Sequence, residues 1–345
     1  MKSLGGVVAG PVFDHLYRMT DGRGLFEHAL HGVPRPEHGY CVDDVARALV
    51  VVCREPFPSP KLQQLGRRFL DFTVSAVQAD GTCHNRMNDA GDWTDVPDVG
   101  DWWGRALWGL GVAAVHAPTQ AMQARALLGF RTAARRRSPH LRAMAFAALG
   151  AGELLLARPD EVSARQLLHD AVAALEGTGT DPSWPWPEDR LTYSNGSVVE
   201  ALLLAGEALP DTSAQARGLY LLRFLLRVET AQGRLSVTPV GGRGPFDPKP
   251  GFDQQPIEVA AIGAACARAY EFTDDPEWLL GVQLAWGWFL GDNDISTPMF
   301  DPNTGGGFDG LQRHGKNLNQ GAESTLAVLA TAQHAQRLVP LGRPW

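Results

Sequence analysis

Four segments of this chain bring carboxyl groups to the start of an apolar run. His38-Gly39-Tyr40-Cys41-Val42-Asp43-Asp44 leads into one such run, with Arg47 a turn later, and Pro187-Glu188-Asp189-Arg190 precedes another. Phe252-Asp253-Gln254-Gln255-Pro256-Ile257-Glu258 and Asn317-Leu318-Asn319-Gln320-Gly321-Ala322-Glu323 repeat the arrangement. Burial raises the pKa of one carboxyl group while a neighbouring Arg lowers that of another, which separates a general acid from a base. Asp44, Asp189, Asp253, Glu258 and Glu323 are the catalytic candidates, with Asp43 as an alternative to Asp44. Arg47, Arg105 and Arg190 are placed to tune them. Each also has a structural reading: Asp43 fits a helix N-cap, and Glu258, two residues after Pro256, fits a capping box.

The same segments hold rings and amides. Five of the ten Trp lie in segments at the rim, namely Trp93, Trp102, Trp103, Trp184 and Trp186, joined by Tyr40, Tyr193 and Phe252. Rings that stack on the apolar face of a sugar, beside amides and Arg that satisfy its hydroxyls, define the substrate-binding candidates. These are His38, Tyr40, Arg47, Trp102, Trp103, Arg105, Trp186, Tyr193, Asn195, Gln254, Gln255, Asn319 and Gln320. Core packing is the competing use of the Trp rings, above all for Trp103 and Trp108.

Other motifs fail on chemistry. Gly310 to Asn317 is one residue from a phosphate loop, but Asn317 stands where Ser or Thr must bind magnesium. Asp301-Pro302-Asn303-Thr304-Gly305 opens like a calcium loop, yet Gln312 occupies the position of the bidentate Glu. The ten His show no metal-ligand spacing, so neither metal nor cofactor is expected, and His38, His84 and His314 are read as hydrogen-bonding groups.

What must position these groups is a set of helices of two kinds. The segments Asp43–Val52, Trp102–His116, Pro139–Leu156, Gly196–Leu209, Pro256–Phe272 and Gly321–Leu338 are apolar on nearly every side and call for burial all round. Between them Lys61–Val77, Thr119–Arg136, Glu161–Leu175, Ser213–Val228 and Pro276–Leu290 are amphipathic, and Gly10–Met19 supplies a sixth. Anchor residues of the apolar set recur at 61, 39, 54, 61 and 63 residues, a helical-hairpin repeat with loops of unequal length. Ser138-Pro139, Asp101 and Asn195 are read as helix starts, and Gly81–Asn88 and Arg234–Val240 as short strands on a rim. The expectation is one all-α domain over residues 1–345, a ring of six hairpins in an (α/α)6 barrel. All inner helices then run the same way, so the four acidic segments gather at one mouth.

Composition narrows the partners. Hydrophobic residues make up 44% of the 345, and 31 basic against 38 acidic residues leave a formal net charge of −7. No basic run longer than Arg135–Arg137 exists, which argues against nucleic acid and anionic membranes. Nothing resembles a spanning segment, and the N-terminal stretch to Phe13 lacks the apolar core of a leader. Four scattered Cys suit a reducing compartment, so a cytoplasmic location is expected.

The strings HGYCVDDVARAL, DWWGRALWGLG, PWPEDRLTYSNG, FDQQPIEVAA and NLNQGAESTLA resemble a bacterial domain of the six-hairpin, (α/α)6-barrel glycosidase-like group, over roughly Phe13 to Gln336. That domain occurs alone or C-terminal to retaining-type glycosyltransferases. The resemblance implies a carbohydrate substrate and a functional association with a glycosyltransferase. It implies no transferase activity, because no nucleotide-sugar site is recognisable. The Asp43-Asp44 pair is also similar to the adjacent Asp pair of endo-acting α-mannanases of this fold. The expected activity is glycoside hydrolysis, one carboxyl group protonating the glycosidic oxygen and another activating water or attacking the anomeric carbon. Two rivals keep the barrel: a sugar epimerase or isomerase with proton transfer by His, and a non-catalytic carbohydrate-binding partner of a transferase.

Overall fold

The computed structural model describes residues 10–175, 181–209 and 212–339. The opening nine residues, and with them most of the stretch read as lacking a leader, lie outside the described residues.

Among the described residues twelve α-helices alternate between two layers. They are α1 (Asp14–Arg18), α2 (Val42–Arg54), α3 (Pro60–Ala76), α4 (Asp101–His116), α5 (Gln120–Ala133), α6 (Leu141–Ala157), α7 (Val162–Leu175), α8 (Asn195–Ala208), α9 (Thr212–Glu229), α10 (Pro256–Thr273), α11 (Pro276–Leu290) and α12 (Ala322–Leu338). The even-numbered, apolar helices pack side by side in sequence, and α12 returns against α2, so the inner ring closes. The amphipathic helices α3, α5, α7, α9 and α11 each lie against the inner helix that precedes them. This is an (α/α)6 barrel, and the sorting follows hydrophobicity: α6 buries nearly its whole surface, whereas α3 buries one stripe through Leu62, Leu65, Phe69 and Leu70.

The connections are unequal. Inner helices lead to outer ones through short turns such as 55–59, 117–119 and 274–275, while outer helices return through long segments such as 19–41, 77–100, 230–255 and 291–321. The long segments carry four two-stranded antiparallel ribbons. β1 (Ala29–Leu30) pairs with β2 (Val33–Pro34), β3 (Tyr40–Cys41) with β4 (Arg86–Met87), β5 (Thr230–Ala231) with β6 (Arg234–Leu235), and β7 (Gly310–Gln312) with β8 (Gly315–Asn317). The strand-like segments Gly81–Asn88 and Arg234–Val240 therefore shrink to β4 and β6. The phosphate-loop lookalike is the β7–β8 ribbon.

Helix starts depart from expectation in three places, each for a local reason. Asp101 and Asn195 are first helical residues rather than caps, because their side chains are engaged elsewhere, with the Tyr193 hydroxyl and with Arg142 and Glu258. Ser138 caps a turn by accepting from the His140 amide at 3.1 Å, and the helix begins only at Leu141. Pro256 does open α10, and Ser59, Thr119 and Asp275 cap α3, α5 and α11 by accepting backbone amides. Helix α1 is five residues long, shorter than the Gly10–Met19 expected. Among the described residues no helix is long and apolar enough to cross a membrane.

Candidate active site

The first turns of α2 and α12 meet at the mouth, where Arg47 ties them together. Its Nη2 donates to Asp44 Oδ1 at 2.6 Å and its Nη1 to Glu323 Oε2 at 3.0 Å. The Arg47 Nε is anchored on the Asp43 carbonyl at 3.0 Å, which fixes the fork. Arg105, from the second turn of α4, lies 3.5 Å from Asp43 Oδ1 and 4.0 Å from Glu323 Oε2. Asn85, just before β4, donates from Nδ2 to Asp43 Oδ2 at 3.1 Å. Three carboxylates from two helices thus surround two guanidinium groups.

Their environments differ. Asp44 is only 3% exposed, and burial lifts its carboxyl to about 6 despite Arg47, with the charge of Glu323 adding to the rise. Burial pushes Glu323 the same way, but Arg47 and Arg105 overcome it and hold the carboxyl below its ordinary value. The Glu323 side chain is 38% exposed and that of Asp43 21%, so these two can meet a ligand and Asp44 cannot. Arg105 is 4% exposed and lies on the Phe146 ring at 4.5 Å, yet none of its nitrogens donates a hydrogen bond among the described residues. Asp43 Oδ1 is also buried without a hydrogen-bond donor.

Beside this cluster, Asp95 accepts from the Asn85 amide at 2.6 Å and sits 3.2 Å from His84 Nδ1. The His84 ring stacks on Trp93 with centroids 5.1 Å apart. On the other flank, the short Cys41 thiol contact donates to Asp44 Oδ2 at 3.0 Å. Glu27, Cys41 and Asp44 offer ligand atoms within 4.8 Å of one another. The set suits a metal poorly: burial keeps the thiol protonated, and Arg47 and Arg86 already occupy the carboxylates.

A second polar group organises the starts of α6, α8 and α10. Arg142 donates to the Tyr193 carbonyl and Thr192 Oγ1 and to Asn195 Oδ1, each at 2.8 Å, and also to Glu188. Glu258, 2% exposed, accepts from the amides of Ser194 and Asn195 and from Asn195 Nδ2. Burial, reinforced by Glu229, raises its carboxyl to about 8 against those donors. Glu258 clasps the first turn of the neighbouring helix rather than its own, so the capping-box reading is replaced by a contact across the ring. No hydrogen bond or ion pair of the described residues joins it to the Arg47 cluster.

The remaining candidates scatter. Asp189 and Asp253 are exposed on their loops with no side-chain hydrogen bond. Tyr40 is buried and donates to Asp21 at 2.7 Å. Trp103 is a core residue pointing to the outer layer, its Nε1 donating to the Ala133 carbonyl, and Trp102 donates to the Cys83 carbonyl. Trp186 is buried against Phe224 and donates to Glu188, while Gln254 is buried between Trp288 and Asp294. Asn319 accepts from the His31 amide, Gln320 is buried beside Gly306, Gln255 is half-buried, and His38 is exposed with its edge to His28. Tyr193 is half-open at the mouth, its hydroxyl donating to Asp101. Sequence reasoning passed over Asn85, Arg142 and Phe146. The signal for Arg142 was present, a charged residue at the start of an inner helix that is otherwise almost wholly apolar.

No protein-family model and no curated protein sequence matches the chain. Solved structures do match. A sugar epimerase from a ruminal bacterium has a TM-score of 0.70 at 13% identity, covering 95% of each chain. Cellobiose 2-epimerase from Bacillus thermoamylovorans has a TM-score of 0.71 at 10% identity, covering 95% of this chain and 96% of the other. An α-mannanase from Bacteroides thetaiotaomicron has a TM-score of 0.61 at 11% identity, covering 93% of each. At such identities the likeness establishes the shared barrel, and the chemistry must be argued from the residues.

Proposed function

We propose that this protein is a carbohydrate-active enzyme that hydrolyses glycosidic bonds at the mouth formed by α2, α4 and α12. The observation that carries the reading is the Arg47–Arg105 pair, which holds accessible carboxylates of Asp43 and Glu323 side by side. Glu323, kept ionised by the two guanidinium groups, is the base or nucleophile. Asp43, partly exposed beside Glu323, is assigned the transfer of a proton to the glycosidic oxygen. Asp44 is a positioning residue that locks Arg47. Tyr193 and the His84–Trp93 stack flank the mouth as sugar platforms. The solved structures that share the fold act on sugars by their descriptions, which supports the substrate class.

A second reading, epimerisation, is favoured by the higher TM-scores of the epimerases and by His84, whose ring is oriented by Asp95 next to Asn85. It requires a base on each face of the sugar carbon. The two are separated by incubating the protein with β-glucans, α-mannans and their disaccharides and following the anomeric protons by NMR. Hydrolysis is expected: new reducing ends appear and the starting linkage signal declines. Epimer signals at constant total reducing end would replace this proposal by the second.

A further inference from the structure

A large cavity extends below the mouth. It occupies about 710 Å³ of the ring interior, below the carboxylates, with Arg47 and Arg105 at its upper end. The lining residues at that end, Arg105, Ser194 and Ile257, are buried. At the other end it reaches His116 and Arg337, whose side chains are 44% and 54% exposed. The cavity thus has mostly buried residues at its mouth end and exposed ones on the short-turn face.

Its walls are built for a ligand. Alanines of α10 and α12, including Ala264 and Ala330, leave an apolar waist opposite Trp108 and Phe146, whose rings are nearly parallel. Glu200 lines the cavity at 2% exposure, and no donor of the described residues reaches its carboxylate. The Trp108 Nε1 is buried with no acceptor. Leaving a buried polar group unsatisfied costs on the order of 1–3 kcal/mol, and the unpartnered Glu200 carboxylate on the cavity wall is the group there that a hydrogen-bond donor would satisfy. Neighbouring charges are already spent on each other: Glu153 accepts from Arg54 at 2.9 Å and from Arg268 at 2.7 Å, and Arg337 pairs with Glu271 at 2.7 Å.

We infer that the barrel interior is a second binding site, entered from the short-turn face, for a neutral polyhydroxylated molecule of mono- to disaccharide size. The lining carries both signs of charge, which favours neither a cation nor an anion. Hydroxyl groups donate to Glu200, while the apolar C–H face of the molecule lies along the Trp108 and Phe146 wall. The volume falls within the ~300–1,000 Å³ typical of small-molecule sites.

The test follows the Trp108 indole N–H resonance of the full-length protein, assigned with Trp108→Phe, during titration with glucose, mannose or cellobiose, and with choline and citrate as charged probes. A neutral sugar should shift it saturably, equally in the parent and in Glu323→Gln. Affinity should fall about tenfold or more in Glu200→Gln, which keeps the side-chain shape, and in Ala264→Leu, which fills the waist, with thermal unfolding confirming that each folds. The site is refuted if no sugar shifts the signal, if only choline or citrate does, if Glu200→Gln binds like the parent, or if Glu323→Gln loses the shift. Turnover at the mouth is a separate readout, so failure of this site leaves the proposed hydrolysis standing, and the converse holds.

Discussion

Glu323→Gln should lower turnover of a cleaved glycan by about 100-fold or more, the scale of acid–base or nucleophilic work. The amide keeps the volume and one acceptor but removes the negative charge that two guanidinium groups hold in place. Folding should survive, since Arg47 retains Asp44 and Arg105 retains Asp43, and a half-open side chain leaves no core cavity. The pH dependence follows from Asp44, whose carboxyl titrates at about 6. Below that pH it takes up a proton and Arg47 loses its second anionic partner. The kcat/KM of the parent should fall as pH drops through about 6, and Asp44→Asn should flatten that limb. A Glu323→Gln enzyme with near-parental turnover would remove Glu323 from the chemistry.

Gly150→Ala should destabilise the protein by about 3 kcal/mol or more, although it replaces a poor helix former with the best one. A methyl group on Gly150 would sit 2.1 Å from the Leu107 carbonyl oxygen, and one on Gly111 would sit 2.2 Å from that of Gly150. Helices α4 and α6 thus approach backbone to backbone, and no side-chain rotation relieves the clash. The propensity gain of roughly 1 kcal/mol is overwhelmed by the separation forced on two inner helices. Urea unfolding measures the difference, with Gly241→Ala as a control, because nothing lies within 4 Å of its added methyl group. Equal stability of the two variants would show that the ring adapts to wider spacing.

The barrel was legible because apolarity on every face and amphipathicity are compositional properties that survive any error in helix ends. The inner helices begin within two residues of their expected starts for the same reason, and the exceptions trace to polar side chains recruited by distant partners, as Asn195 is by Arg142 and Glu258. The site was only half legible. Asp43, Asp44, Arg47, Arg105 and Glu323 stand within the first two turns of their helices, so their convergence follows from the ring. Asp189 and Asp253 stand on loops, whose course periodicity does not fix. The interior cavity was missed because Glu153, Glu200 and Arg268, single charged residues inside apolar helices, were not singled out. In a closed ring, a charged residue on such a helix can face only the lumen or a neighbour, which makes it the better signal.

The proposed hydrolysis requires a glycosidic bond lying between Asp43 and Glu323, and a crystal structure of Glu323→Gln with a bound oligosaccharide tests that directly. The expected result places the glycosidic oxygen within hydrogen-bond reach of Asp43 and the anomeric carbon facing residue 323, with Arg105 donating to the sugar. A glycan seated in the mouth but touching neither residue, or bracketed instead by Glu258 or Asp253, would contradict it.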